Sequence, residues 1–227
     1  MEEIIRDKEY RLYILDGHGT CCSDDPRPVP SVPQHIVVER DACIDMVVLV
    51  MPGVSCDVKL DVRLAGEGAE ANIYGAYVCG SQERVKISVD MHHDLPHCNS
   101  RQLFKGIAGG TSRVDFYGKI IVAQDAQRTE AYQENHNILL SDGAKVDTKP
   151  QLEIYADDVK CSHGATIGRL NEEEQFYMRS RGITLEDAKV LQMISFIAPV
   201  LENIPESDRE AVAAHFEEAI RNIARNL

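Results

Sequence analysis

Three stretches of the chain alternate apolar and polar residues with a period of two. Val85, Ile87, Val89 and Met91 are separated by Lys86, Ser88 and Asp90. Val114, Phe116, Gly118, Ile120 and Val122 alternate with residues such as Asp115, Tyr117 and Lys119. Val146, Thr148, Pro150, Leu152 and Ile154 are separated by Asp147, Lys149, Gln151 and Glu153. Successive side chains of a strand point to opposite faces, so each stretch predicts a half-buried β-strand. Turn signals lie between the runs, at Gly109-Gly110, Ser141-Asp142-Gly143 and Ala156-Asp157-Asp158. Many short strands with no helical segment between them imply a sandwich, a barrel or a β-helix, and periodicity alone leaves the three open. Gln133, Asn135 and Asn137 fall among apolar residues. The stacked side-chain ladders of a β-helix accommodate such amides, and so would a sandwich loop.

The pattern changes after Gly168. All fifteen glycines lie at or before Gly182, and the residues that follow read as helices. Three capping boxes are expected: Asn171 with Glu174, Thr184 with Asp187, and Ser207 with Glu210. The first helix should end at Gly182. The second carries Ala188, Leu191, Ile194, Ala198 and Leu201 at helical spacing, widened by Val190 and Ile197, with Pro199 expected to kink or end it. The third shows Val212, Phe216, Ile220, Ile223 and Leu227. These stripes are read as core. The division is therefore a β-rich body over residues 1–168 and a helical unit over 169–227. DDPRPVPSVP, containing the Pro-rich residues 26–33, serves as an extended connector.

Composition narrows the function. A net charge of -13 disfavours nucleic acid, since phosphate contacts need a basic face. No run is long and apolar enough to span a bilayer, and the acidic start, MEEIIRDKEYRLYIL, lacks the order of a secretory signal. A soluble, cytoplasmic protein is expected. Seven cysteines without a regular spacing favour reduced thiols over a disulfide framework, and Cys21-Cys22 reads as a pair of loop thiols.

Two groups could carry chemistry. His92, His93, His97 and Cys98 form the densest ligand-capable cluster, although their spacing fits no closed tetrahedral site. Cys161 and His163 are two apart, so on a strand they would point to one side and could share a metal or a sulfur species. Asp157-Asp158 just before them reads as a turn. GxSxG, GxxxxGK[ST] and HExxH are all absent, which leaves hydrolase, nucleotide-binding and zincin readings without support. A β-helix carbohydrate-active enzyme remains a rival class. With no tryptophan, however, sugar stacking has few platforms. A purely structural interaction protein is the other alternative.

From Ser100 the run SRQLFKGIAGGTSRVDFYGKIIVAQDAQRTEAYQENHNILLSDGAKVDTKPQLEIYADDVKCSHGATIGRL resembles the core of the SufB/SufD family of iron–sulfur cluster assembly scaffolds. FYMRSRGITLEDAKVLQMISFIAPV resembles the family's helical end, and HHDLPHCNS matches it more loosely. The resemblance implies a right-handed parallel β-helix followed by a small C-terminal helical domain. It also implies a non-catalytic scaffold that docks a SufC-like ABC ATPase through its helices. The β-helix would pair edge to edge with a SufB-like paralogue or a second copy, handling a transient iron–sulfur cluster and binding no nucleotide itself. The SufD branch fits better. Ile154 stands where SufB-type chains carry an assembly cysteine, and His163 stands where they carry a glutamate. By that carry-over His163 is the leading cluster-proximal ligand; Cys161, its same-strand neighbour, ranks second. Family members also have a long, partly helical segment before the β-helix, whereas strand-like alternation here begins by Tyr10 to Leu15.

Overall fold

A computed structural model describes residues 2–15 and 32–225. Cys21, Cys22 and most of the Pro-rich connector lie outside the described residues. Twelve strands come first: β1 (Glu2–Ile5), β2 (Lys8–Leu15), β3 (His35–Val38), β4 (Cys43–Val50), β5 (Cys56–Leu64), β6 (Glu70–Cys79), β7 (Arg84–His93), β8 (Asn99–Ala108), β9 (Arg113–Val122), β10 (Glu130–Leu139), β11 (Lys145–Ile154) and β12 (Lys160–Gly168). Three helices follow: α1 (Glu172–Ser180), α2 (Leu185–Leu201) and α3 (Glu206–Ala224). Odd-numbered strands form one six-stranded sheet and even-numbered strands the other, so the chain crosses between sheets at every turn. All ladders are parallel. Cys56 pairs with Val85, Val85 with Val114 and Val114 with Val146, so each turn of the coil takes 29, 29 and 32 residues. This is a parallel β-helix, the one of the three β architectures in which consecutive runs stack on the next but one.

The period-two alternation becomes the inside and outside of the coil. Along β7 and β9, apolar residues turn inward and are buried, while their neighbours face solvent. The column Val58, Ile87, Phe116 and Thr148 and the column Leu64, His93, Val122 and Ile154 run through the interior from the odd-numbered strands. The even-numbered strands face them with Ile73, Gln102, Gln133 and His163, and with Tyr77, Gly106, Asn137 and Ile167. Large side chains fit because glycines give way beside them. A Cβ on Gly75 would overlap the Phe104 ring, one on Gly106 the Tyr77 ring, and one on Gly118 the Gln133 amide.

Corners repeat as well. Asp41, Gly68, His97 and Arg128 precede β4, β6, β8 and β10 in turn and all have positive φ. Backbone bonds link corner to corner, from Asp41 N–H to the Glu67 carbonyl and from His97 N–H to that of Gln127. At the opposite edge the buried Glu83 carboxylate accepts from the N–H groups of Gly53, Gly80 and Ser81 at 2.9, 3.1 and 2.7 Å.

The even-numbered sheet is also covered on its outer face. Val47, Leu49, Ala76, Val78 and Ile107 point outward and are buried beneath Val190, Met193, Ile197, Val212, Phe216 and Ile220 of α2 and α3. This explains why β4 and β6 end in continuous apolar runs, Val47 to Met51 and Ala76 to Cys79. Burial on both faces replaces alternation with continuity.

The helices begin and end largely as their caps require. The Asn171 side chain accepts from Glu173 N–H and Glu174 N–H, and Thr184 Oγ1 accepts from Asp187 N–H at 3.0 Å. Gly182 has φ +90°, and its N–H reaches the Arg179 carbonyl to close α1. Pro199 sits in the last turn of α2, which stops two residues later. Two expectations fail. The box at Ser207 does not form, because α3 already starts at Glu206 behind the N-cap Pro205, which offers no side-chain cap, and Ser207 lies inside the helix. Leu191 lies off the buried stripe of α2, which follows Val190, Met193 and Ile197 instead. Among the described residues no helix is long and apolar enough to cross a membrane.

Candidate functional site

The two sheets close over each other along most of the coil and are open at β11 and β12. Every earlier strand has a following rung laid on it. The last two have none, so their inward residues form the floor of an open end. Val146, Thr148, Pro150 and Leu152 of β11 are only half-buried, whereas the matching residues of β9 are buried. Among the described residues, none pairs with the outer edge of either terminal strand. Pro150, with no N–H to contribute, fits such an edge.

Cys161 and His163 lie at this end. Cys161 pairs with Ala131, and His163 pairs with Gln133; Ala131 and Gln133 are fully buried and inward-facing. Both β12 side chains therefore belong to the interior line, as their spacing implied. Cys161 is half-buried against the interior core, and His163 is exposed. Ile154 enters the same mouth from β11, 40 % exposed, stacked on Val122. Desolvation raises the Cys161 thiol pKa, partly offset by the hydrogen bond with the Ala131 backbone. The sulfur is thus a protonated thiol at neutral pH and becomes a thiolate only when a cation or a donor group compensates.

The His92–Cys98 cluster is not assembled. Alternation sends His92 outward, where Nε2 lies 3.5 Å from an Asp61 oxygen, and His93 inward. His97 is a corner residue at φ 61°. The Cys98 thiol is buried and donates to the Gly66 carbonyl at 3.2 Å. Among the described residues no group of three or more histidine, cysteine or acidic side chains is arranged to hold a metal ion. One thiol and one imidazole at the open end are a partial donor set, suited to borderline and soft metals, that needs ligands from elsewhere.

Behind the mouth runs a polar interior that spacing alone did not single out as a site. Gln133 Nε2 donates to Gln102 Oε1 at 2.9 Å, Asn137 Nδ2 to Asn135 Oδ1 at 2.7 Å, and the Tyr77 hydroxyl to Asn137 Oδ1. All of these side chains are fully buried. The signal that could have found them was the amide at every second position of β10.

A second feature lies beside the end of the coil. A groove of about 660 Å³ runs between α1, α2, Ile138 of β10 and the segment after β12, with Tyr177, Met178, Leu191 and Phe196 in its wall. Phe176 and Tyr177 are 73 % and 61 % exposed on α1. The two helices are joined by polar contacts, with Gln175 Nε2 donating to Gln192 Oε1 at 2.9 Å and Gln192 Nε2 to Glu174 Oε2 at 2.7 Å.

Comparison with known proteins identifies the family. SufD of Escherichia coli, named an iron–sulfur cluster assembly protein, is 45% identical over 140 residues, 62% of this chain and 33% of that protein. A SufBD family protein of Synechocystis is 47% identical over 110 residues, 48% of this chain and 24% of that one. A SufBD family protein of Mycobacterium leprae is 30% identical over 190 residues, 79% of this chain and 48% of its own length. The chain thus spans less than half the length of each of these relatives. The profile of the SUF system FeS cluster assembly SufBD core domain covers residues 24–196. The chain belongs to the SufBD core family, on its SufD-like side.

Proposed function

We propose that this protein is a scaffold subunit of a cytoplasmic iron–sulfur cluster assembly complex, non-catalytic in itself, that supplies His163 and Cys161 to a cluster carried at a subunit junction. The observation that carries the reading is the uncapped last rung, which sets a thiol and an imidazole on one inward line at an open, unpaired edge. Their two donors are fewer than a cluster requires, so the remaining ligands come from a partner: a SufB-like paralogue or a second copy of this chain. Strand edges of β11 and β12 offer the pairing surface. The cluster is cargo, held transiently. The relatives' names place SufD and its kin in iron–sulfur assembly, which supports the same role here.

The exposed aromatics of α1 and the groove beside them suit a protein partner, and in this family the reading is a SufC-like ABC ATPase. ATP chemistry belongs to that partner. Closure of an ATPase pair would pull on the helices, which are fixed to the even-numbered sheet through Val47, Leu49 and Val78. That strain would reach the junction through a packed core.

Anaerobic reconstitution with iron and sulfide, in the presence of the co-expressed ATPase and paralogue, tests the assignment. His163→Ala is expected to lower cluster yield by more than tenfold and Cys161→Ala by a smaller factor, with the complex still co-purifying. Unchanged cluster formation in both variants, with the complex intact, would remove the ligand assignment and leave a structural role.

A further inference from the structure

Gln133 is the strand-register neighbour of His163 on the inward face, one rung deeper, and it is fully buried. Its amide nitrogen is used, donating to Gln102 Oε1 at 2.9 Å. Its amide oxygen is buried and has no hydrogen-bond partner. A buried carbonyl oxygen left unmet keeps its full desolvation penalty, so such an atom in a packed interior calls for a donor. Gly118 lies across the coil and makes room for the amide, since any Cβ there would overlap it. The interior is therefore shaped around a Gln133 side chain held in one place. Gln102 Nε2 is the other unmet group of the pair; turning over both amides would set an NH2 beside His163, which would donate to the ring and fix the opposite tautomer.

His163 is the matching half. Its ring is exposed at the open end, and no hydrogen bond from a described residue holds it. Neutral imidazole has one N–H and one lone pair, and the hydrogen bond at one nitrogen decides which nitrogen is free to act as a ligand.

We propose that Gln133 is a positioning residue for His163: the exposed ring, unbonded in this structure, turns onto the Gln133 side-chain oxygen, which accepts the N–H of one ring nitrogen, holds the imidazole in a single tautomer, and leaves the other nitrogen's lone pair facing out of the open end. The Gln102–Gln133 pair then forms a column of hydrogen bonds ending on the histidine. That the outward lone pair meets a cluster rests on the scaffold reading above. The tautomer lock does not, because it is a property of the chain alone.

The test uses the full chain labelled with 15N-histidine and long-range proton–nitrogen correlation spectra, recorded where imidazole is neutral. His163→Ala identifies the His163 signals among the eight histidines. The expected result is two well-separated nitrogen signals for His163, the pattern of one tautomer. Gln133→Leu should bring the two signals together as the tautomers interconvert, and Gln133→Glu, which keeps an acceptor oxygen, should hold them apart. Averaged signals in the unmodified protein would overturn the proposal with no variant needed, which covers the case in which Gln133→Leu does not fold. Unchanged separation in a folded Gln133→Leu protein would also overturn it. A locked ring in a protein whose His163→Ala variant still assembles clusters would support the lock and refute only the ligand assignment.

Discussion

Among the described residues, His93 and His163 both face the interior of the coil, and they show how differently its two regions behave. His93 ends β7 with β5 and β9 on either side, and it is fully buried. Its Nε2 meets Ser100 Oγ at 2.8 Å while Nδ1 has no partner. With the proton on Nε2, the unmet group is a lone pair, a smaller penalty than an unmet N–H. Burial, aided by the neighbouring His92, pushes its pKa down to about 4. His163 has the same inward orientation on β12 but only β10 beside it. Residue type and orientation are shared, so chemistry is decided by whether another rung follows. The closed region hides a donor that its own coil has neutralised, and the open region presents one.

The contrast predicts first a large difference in sensitivity to truncation. Phe104 is buried in the closed region, its ring 4.9 Å from that of Phe116 and seated over Gly75. Phe104→Ala should cost about 3–5 kcal/mol in urea unfolding, because the surrounding rungs cannot collapse into the space. Truncating half-buried Leu152 in the open region should cost well under half of that. Equal losses would mean that the open end is covered in solution and that the comparison does not hold.

A smaller effect is a pH dependence assigned to His93. Its folded pKa, about 4, lies below the ordinary value of 6.5, so between these limits the unfolded chain binds a proton that the folded chain refuses. Stability from this group is complete above the ordinary value and falls as pH drops toward 4, by roughly 3 kcal/mol in all. Glu83 acts in a lower window. Burial would raise its pKa, but the backbone N–H groups around it bring it below the usual value, so its contribution is lost only as pH falls through the carboxylate range. Urea midpoints measured at pH 7 and 5 should therefore differ in the native protein and converge in His93→Leu. A slope that survives the substitution would assign the effect to another group.

How far these regions could be read from sequence follows from the same geometry. Period-two runs at 85–91, 114–122 and 146–154 located β7, β9 and β11 directly, because each has one face inside and one in water. The pattern could not choose between sandwich and β-helix, since both bury alternate residues, and only longer resemblance separated them. The continuous run at Val47 to Met51 hid its inward and outward faces because helices from the far end of the chain cover it. His92 and His93 looked like one cluster although adjacency on a strand places them on opposite faces. The pair at 161 and 163, two apart, was legible for the same reason. The change of pattern after Gly168 marked where the coil ends; what spacing could not convey was that the last rung is left uncovered, so that His163 is exposed there.

The smallest expected effect on stability is at Ile154, and it separates the regions most sharply by chemistry. Ile154 continues the column of Leu64, His93 and Val122 into the mouth, where it is 40 % exposed. Ile154→Cys removes apolar surface that is already partly in water, so it should change stability by about 1 kcal/mol or less. Its consequence is a new thiol at the end of β11, on the same open last turn of the coil as Cys161 and His163. Cys79 and Cys98 are fully buried, and desolvation raises both thiols, so they should resist a disulfide reagent until the protein unfolds. Compared with the parent, the Ile154→Cys chain should gain one fast-reacting thiol under native conditions. If the added cysteine reacts as slowly as Cys79, the mouth is closed, by a second copy of the chain or otherwise. The dependence of that rate on protein concentration then tells which, since pairing through the open edge protects the thiol only above the dissociation constant of the dimer.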